Sequence, residues 1–276
     1  MVDNASADAT VECARQVPET MVLANPANRG FAAAANQGAR AARGELLLFL
    51  NPDVTAEPGA LAALQAAVQP EDVAAASGRL TDADGRTQVG FVLRGFPTLA
   101  AALAEVLLLN RFFPRNPWNR RYRCLDVDHE RPAAVEQPAG ACLLVKRSAW
   151  EALGGFDEQF FPLWFEDVDF CRRLRARGWT IAYEPRARFR HVGGHSLAAL
   201  EPGEQQLYWY PNLLRYFRKH HGRLAVATLR AGILGGMLLR MLGAALGVQP
   251  RAGERRAGVR AYAQVIRRCV FGGAVE

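Results

Sequence analysis

Lysine is nearly missing from this 276-residue chain: among 34 basic residues, only Lys146 and Lys219 are lysine. A glycine-rich, Lys/Arg-bearing phosphate loop is not found near the N-terminus either, which argues against a nucleotidyltransferase. Paired cysteines are lacking as well. Cys13, Cys124, Cys142, Cys171 and Cys269 are odd in number and widely spaced, with no CxxC. That excludes a disulfide frame or a zinc-binding repeat and suits reduced thiols in the cytosol. No basic region followed by an apolar core opens the chain, so no signal peptide is read there. No nucleic-acid motif is present, and the arginines are dispersed rather than set in a stripe with interleaved aromatics, which argues against nucleic acid as a partner.

What is present is a basic chain, net charge +7, with 50% hydrophobic residues. The length suits one large domain with an extension, or two small domains. A basic surface without nucleic-acid features leaves anionic lipid or a phosphorylated small molecule.

The stretch "ELLLFLNPDV" (45–54) is a short apolar run stopped by Pro52 and reads as a buried strand. Before it, "NRGFAAAANQGARAARG" (28–44) reads as a loop, an Ala-rich helix and a Gly stop. Pro58 to Val68 reads as helix, "VAAASGRL" (73–80) as strand, and Asp84-Gly85 as a hairpin signal. "LAAALAEVLLL" (99–109) is a helix, and "NRFFPRNPWNRRYR" (110–123) a loop, either solvated or acceptor-contacting. "GACLLVKRSAWEALGGFDEQFF" (140–161) gives strand, helix and a Gly-Gly stop. "TIAYEPRARFRHVGGHS" (180–196) gives two extended pieces around Pro185, and 204–222 a helix interrupted or started near Pro211. This alternation predicts an α/β fold with a largely parallel sheet.

Leu224 to Gly247 is mostly apolar but is interrupted by Arg230 and Arg240. With Arg223 these fall on one edge of a helix, as in a helix lying in a membrane interface; a transmembrane helix and a helix packed on this domain or a partner stay open. The basic tail that follows suits an anionic membrane surface.

The densest cluster of charge is "WFEDVDFCRRL" (164–174). Glu166, Asp167 and Asp169 in a first helical turn oppose the dipole, and Arg172, Arg173 and Arg175 suit the other end, so a helix over about 166–177 explains much of the pattern. Asp53 is placed at the carboxyl end of a buried strand, where open α/β sheets bind ligands and where a carboxylate can hold a hard divalent cation or cap the next helix. His191 and His195 flank Gly193-Gly194, and either could be structural, a metal ligand or a phosphate contact.

The order "VDNASADAT", "NRGFAAAANQG", "LLLFLNPDV", "GACLLVKRSAWEALGGFDEQFF", "FEDVDFCRRLRARGW", "HVGGHS" resembles family 2 glycosyltransferases, nearest the bacterial rhamnosyltransferase-like branch, over roughly residues 1–222. The resemblance implies a GT-A fold, Rossmann-like with a mixed, mostly parallel sheet, and a C-terminal helical, membrane-associating extension. It implies a nucleotide-sugar donor such as dTDP-rhamnose, a Mg²⁺ or Mn²⁺ ion, inversion at the anomeric carbon, and a lipid-linked or cell-surface glycan as acceptor. Asp167 matches the general base. Trp164, Glu166 and Asp169 would contact the acceptor or support the base. Asp3, Asn28, Gly30 and Asn36 would serve the donor nucleotide, and Asp53 and His191 the metal. The first acidic position of the DxD-type motif is Asn51 here, which implies weaker metal binding or more reliance on His191.

The domain reading is a GT-A domain over 1–203, a helical linker over 204–222 and an apolar, basic helical region over 223–276, on the inner face of the plasma membrane. Family members carry a strand and helix before the "VDNAS" stretch, and only Met1 and Val2 precede Asp3. The expectation is therefore a late-assigned start or a truncation. The rival reading is a non-catalytic membrane-associated remnant lacking a complete donor site.

Overall fold

A computed structural model describes residues 1–193, 204–246 and 252–271, with backbone only for 252–257. His195 and parts of the basic tail lie outside the described residues. The chain divides into two compact units: 1–87 with 129–191, and 88–128 with 192–276. This division differs from the expected domain over 1–203, because 88–128 groups with the C-terminal helices.

In chain order the first half forms β1 (Val2–Asp3), α1 (Thr10–Arg15), β2 (Leu23–Ala24), α2 (Phe31–Ala41), β3 (Leu46–Leu50), β4 (Val54–Ala56), α3 (Ala60–Ala67) and β5 (Val73–Thr81). There follow β6 (Leu93–Arg94), α4 (Leu99–Val106), α5 (Leu109–Phe112), α6 (Pro117–Tyr122), β7 (Ala133–Ala134) and β8 (Gln137–Pro138). Then come β9 (Cys142–Lys146), α7 (Arg147–Ala152), α8 (Glu166–Ala176), β10 (Thr180–His191), α9 (Glu204–His220), α10 (Arg223–Ala245) and α11 (Ala252–Cys269).

The first unit is built on a mixed sheet ordered β3-β9-β5-β10-β4, with β7 on β10 and a separate parallel pair β1-β2. The α/β class stands, but the expectation of mostly parallel pairing does not. Within the large sheet only β5 and β10 run parallel; β9 enters antiparallel between β3 and β5. The chain reaches β9 through a long excursion and enters antiparallel to both neighbours. That insertion sets the N-terminal end of β9 beside the carboxyl end of β3.

The apolar runs are the core. β5 is buried almost throughout, and Leu143, Phe160, Phe170, Leu174 and Phe189 are fully enclosed. The extended pieces around Pro185 form one strand instead of two, with its ladder to β5 broken between Glu184 and Arg188. Pro185 has no N–H to donate there. The hairpin signal is realised: Gly85 has φ +78°, and Asp82 N–H donates to Arg86 O at 2.9 Å.

In the second unit α10 buries Leu229, Gly232, Ile233, Gly236 and Met237, packing against α4, α9 and α11. It is long and apolar enough to cross a membrane, with 22% of its most apolar stretch buried. The predicted basic edge is not fully outward. Arg240 Nη1 donates to Val106 O at 2.6 Å and Gly236 O at 2.9 Å, and its guanidinium lies 5.8 Å from the Tyr210 ring centre. A carbonyl at the end of α4 lacks an intrahelical partner, and Arg240 supplies the donor. Pro211 lies inside α9, which runs through it unbroken.

Candidate active site

The ends of β1 and β2 are tied together by side chains. Asn4 donates to Asn28 Oδ1 at 2.8 Å and to Gly30 O at 3.2 Å, while its own Oδ1 accepts from Arg29 N at 3.0 Å. Asp3 is buried and accepts from the backbone N–H groups of Ala5 and Ser6 at 3.1 Å and from the Ser6 hydroxyl. Such a turn satisfies backbone donors locally. Gly30 has φ +82°, and a Cβ there would meet the Phe161 ring at 2.8 Å. Phe31 N–H donates to Pro162 O at 2.7 Å, which fastens the start of α2 to the loop leading into α8. Asp3, Asn28 and Gly30 thus share one corner.

Asn36 does not join them as an open contact. It is 2% exposed; its amide donates to Phe156 O and Glu158 Oε1, and accepts from Phe156 N, at 2.9–3.0 Å. Its polar atoms brace α2 against the Gly155-Phe156 turn.

Asp53 follows β3, and His191 ends β10. Antiparallel pairing of β10 with β4 sets His191 opposite Val54, so the two side chains meet with Nε2–Oδ2 at 3.6 Å. Both are largely buried. No group of three or more His, Cys, Asp or Glu placed to hold a metal ion by themselves occurs among the described residues. One carboxylate oxygen and one imidazole nitrogen suit a divalent ion that takes its other ligands from phosphate oxygens and water.

Asp167 sits in the first turn of α8 and is half-buried. Its Oδ2 accepts from Gly140 N–H at 2.9 Å and Gln137 Nε2 at 3.2 Å, and its Oδ1 from Val168 N–H at 2.8 Å. All three are donors, which fits an ionised, accepting carboxylate. Trp164 and Phe165 enter the helix with φ of +74° and +73°, a conformation that costs a bulky residue energy and is held by the surrounding fold.

The neighbouring acids differ. Glu166 is buried, and burial, reinforced by the Asp167 charge, pushes its carboxyl well above the ordinary value; one of its oxygens has no hydrogen-bond partner. Asp169 is fully buried and pairs with Arg173 at 2.7 Å. Arg173 also donates to Leu153 O and Gly155 O, locking α8 onto the turn after α7.

The pieces are joined. Asn51 N–H donates to Ala141 O at 2.9 Å, and Gly140 holds Asp167, so residues 140–141 connect the Asp53 turn to α8. Sequence reasoning missed Gln137 and Gly140. The signal available was a glycine directly before a buried apolar strand, a place where backbone approaches another element closely. Asp167, Asp53 and His191 lie where the carboxyl ends of β3 and β10 meet the start of β9, and Asp3, Asn28 and Gly30 are tied in through Pro162.

Comparison with known proteins returns a consistent result. The family profile described as "Glycosyltransferase like family 2" matches residues 1–210. The N-acetylglucosaminyl-diphospho-decaprenol L-rhamnosyltransferase of Mycobacterium tuberculosis is 33% identical over 258 residues, 87% of this chain and 80% of that protein. Rhamnosyltransferase WbbL of Escherichia coli is 26% identical over 157 residues, 56% of this chain and 55% of that protein. Among solved structures, the mannosyltransferase PcManGT from Pyrobaculum calidifontis, in complex with GDP-Man and Mn²⁺, aligns with a TM-score of 0.52 at 17% identity, covering 96% of this chain and 74% of that one.

Proposed function

The chain belongs to glycosyltransferase family 2, and from that premise we propose that it transfers a sugar with inversion from a nucleotide-diphospho-sugar to a hydroxyl of a lipid-linked glycan. The observation that carries the chemistry is Asp167, a half-buried carboxylate fixed by three donors at the ligand-binding edge of the sheet.

An inverting transfer needs one base on the face of the sugar opposite the leaving group. In this reading the acceptor hydroxyl gives its proton to Asp167 as its oxygen forms a bond to C1. The bond from C1 to the diphosphate breaks, and the electron pair leaves with the nucleoside diphosphate. Gly140 and Gln137 hold the carboxylate still, so little reorganisation is needed as it is protonated. Trp164 and Phe165 limit water at the base. Asp3, Asn28 and Gly30 form the corner that takes the donor nucleotide, while Asn36 braces it.

Asp53 and His191 would hold a Mg²⁺ or Mn²⁺ ion, which would supply charge neutralisation for the departing diphosphate. The 3.6 Å approach of the two side chains is the support for that pair. Rhamnose as the sugar rests on the names of the mycobacterial and Escherichia coli relatives, and a polyprenyl-diphosphate glycan as the acceptor on the mycobacterial name alone. The apolar length of α10 supports contact with a membrane, and the reading adds that this is peripheral and on the cytosolic face.

The test is a transfer assay with the full chain, Mn²⁺, a short polyprenyl-diphosphate N-acetylglucosamine acceptor and a panel of dTDP- and UDP-sugars. The product gains one deoxyhexose mass with dTDP-rhamnose. Calorimetry with dTDP plus Mn²⁺ accompanies it; no metal-dependent nucleotide binding and no product would overturn the reading in favour of a non-catalytic remnant.

A further inference from the structure

We infer that the α5–α6 corner and one face of α10 form a single docking surface for a bilayer carrying anionic lipid. The inference rests on the reading that the acceptor is lipid-linked, and it assigns the contact to residues the apolar helix alone would not suggest.

Three large aromatics protrude from this corner: Phe112 is 70% exposed, Phe113 64% and Trp118 46%. They rim an open, mostly apolar hollow of about 590 Å³. A contiguous exposed patch of this kind marks an interaction site. The charges within the corner are all positive, with Glu105 and Asp126 flanking it. Residues 107–123 carry arginine at 111, 115, 120, 121 and 123 and no aspartate or glutamate. Arg120 pairs with Asp126 and Arg123 donates to Asn119. Arg111, Arg115 and Arg121 are exposed and have no side-chain partner among the described residues.

The helix completes the patch. Leu238, Leu239 and Leu242 follow Gly235 at three, four and seven positions, one face of a helix, and all three are exposed. A Cβ on Gly235 would lie 3.6 Å from Leu107 Cδ2, and Leu107 is itself exposed at the corner between α4 and α5. The leucine face therefore reaches the corner at Leu107, beside the Arg240 guanidinium that is tied to Val106 O.

Aromatic tips beside unpaired arginines are what a membrane interface selects: the rings enter the headgroup–acyl boundary and the guanidinium groups meet lipid phosphates. An isoprenoid chain is the rival occupant. The hollow is open and its rings protrude, which fits a plane better than an enclosed chain.

The experiment is co-sedimentation of the full chain with vesicles of phosphatidylcholine alone and of equal parts phosphatidylcholine and phosphatidylglycerol. Two variants are compared: Phe112→Ser with Phe113→Ser and Trp118→Ser, and Arg111→Gln with Arg115→Gln and Arg121→Gln. Circular dichroism and dTDP–Mn²⁺ binding verify that each variant folds. The arginine variant is expected to lose roughly 100-fold in partitioning to the anionic vesicles only, at about fivefold per charge. The aromatic variant is expected to lose at least about tenfold on both compositions. Undiminished vesicle binding by both variants overturns this surface and leaves attachment to another part of α10. Variants that bind vesicles normally but fail to use a polyprenyl acceptor in detergent overturn it in favour of the chain-binding rival. Wild-type transfer in detergent without any vesicle binding overturns the docking surface and spares the glycosyltransferase reading.

Discussion

Gly140 and Asp167 touch through backbone and side chain at once: the glycine N–H donates to Oδ2 at 2.9 Å, and a Cβ on the glycine would stand 3.0 Å from the aspartate Cβ. The small residue is thus a condition for the carboxylate's position. Gly140→Ala is expected to move Asp167 by a few tenths of an ångström and lower kcat about 10–100-fold, with donor binding nearly unchanged. Asp167→Asn keeps the shape but loses the base, and turnover is expected to fall about 10²–10⁴-fold. Steady-state kinetics with calorimetric nucleotide titration separates the two effects. Near-normal turnover in Asp167→Asn would remove it as the base.

Asp53 and His191 give a different kind of prediction, because their role is read through metal. Asp53→Ala and His191→Ala are each expected to raise the Mn²⁺ concentration for half-maximal activity by at least about tenfold. The carboxylate should matter more, since it brings charge to the ion. The readout is a Mn²⁺ activation curve at saturating donor, backed by Mn²⁺ electron paramagnetic resonance with dTDP. An unchanged activation curve in both variants would place the ion elsewhere.

Legibility in the sequence followed distance along the chain. Helix α8 was readable because its determinants are local: acids in the first turn, arginines in the last, and Val168, Cys171 and Leu174 on one stripe. The meeting of Asp53 with His191 depends on β10 pairing with β4 across 133 to 137 residues; the family resemblance supplied that link, and periodicity alone did not. Gln137 and Gly140 carried no local pattern that separates a carboxylate clamp from an ordinary strand entry. Arg240 was misjudged for a related reason. A helical wheel gives the angle between side chains but cannot say that a neighbour's terminal carbonyl waits on one of them. The parallel sheet was over-read because strand–helix alternation does not show the direction in which β9 re-enters.

Glu166 carries a pH prediction. Burial first, and the Asp167 charge second, raise its carboxyl well above the ordinary 4.5. The folded chain therefore holds this proton to higher pH than the unfolded chain. Between those values the folded state binds more protons, so Glu166 lowers stability as pH rises above about 4.5. Glu166→Gln is expected to raise Tm near neutral pH, with the gain shrinking to nothing as pH falls through about 4.5. Thermal melts of both proteins across pH, followed by circular dichroism, test this; parallel curves at every pH would mean that Glu166 is not the buried acid described.

Asp169 is the structural partner of the turn that carries Asp167. It is fully buried against Arg173, which also holds two carbonyls of the α7–α8 connection. Removing one member of such a pair leaves the other charge uncompensated, at a cost of about 3–5 kcal/mol. Asp169→Ala is expected to lose stability on that scale in urea denaturation. Arg173→Met removes the opposite charge and orphans two carbonyls, so it should not be milder. A pair of stable variants would show that the network contributes little to α8.

Gly236 and Gly243 lie seven residues apart on α10 and meet different surroundings. A Cβ on Gly236 would fall 2.0 Å from Val106 O, whereas one on Gly243 meets nothing within 4 Å. Gly236→Ala must therefore push α10 off the end of α4, at a cost of about 1–3 kcal/mol. Gly243→Ala should leave stability unchanged or raise it by about 0.5–1 kcal/mol, because alanine loses less backbone entropy in a helix. The contrast bears on the membrane question. A helix that leaves the unit to span a bilayer gives up its contact with Val106, and Gly236→Ala would then be as harmless as Gly243→Ala. A helix that keeps its packed face and offers only its leucines to a membrane retains that contact. Thermal melts of the two variants, with and without anionic vesicles, decide between the two arrangements: a lower Tm for Gly236→Ala in both conditions means that α10 stays packed while its exposed face is free to dock.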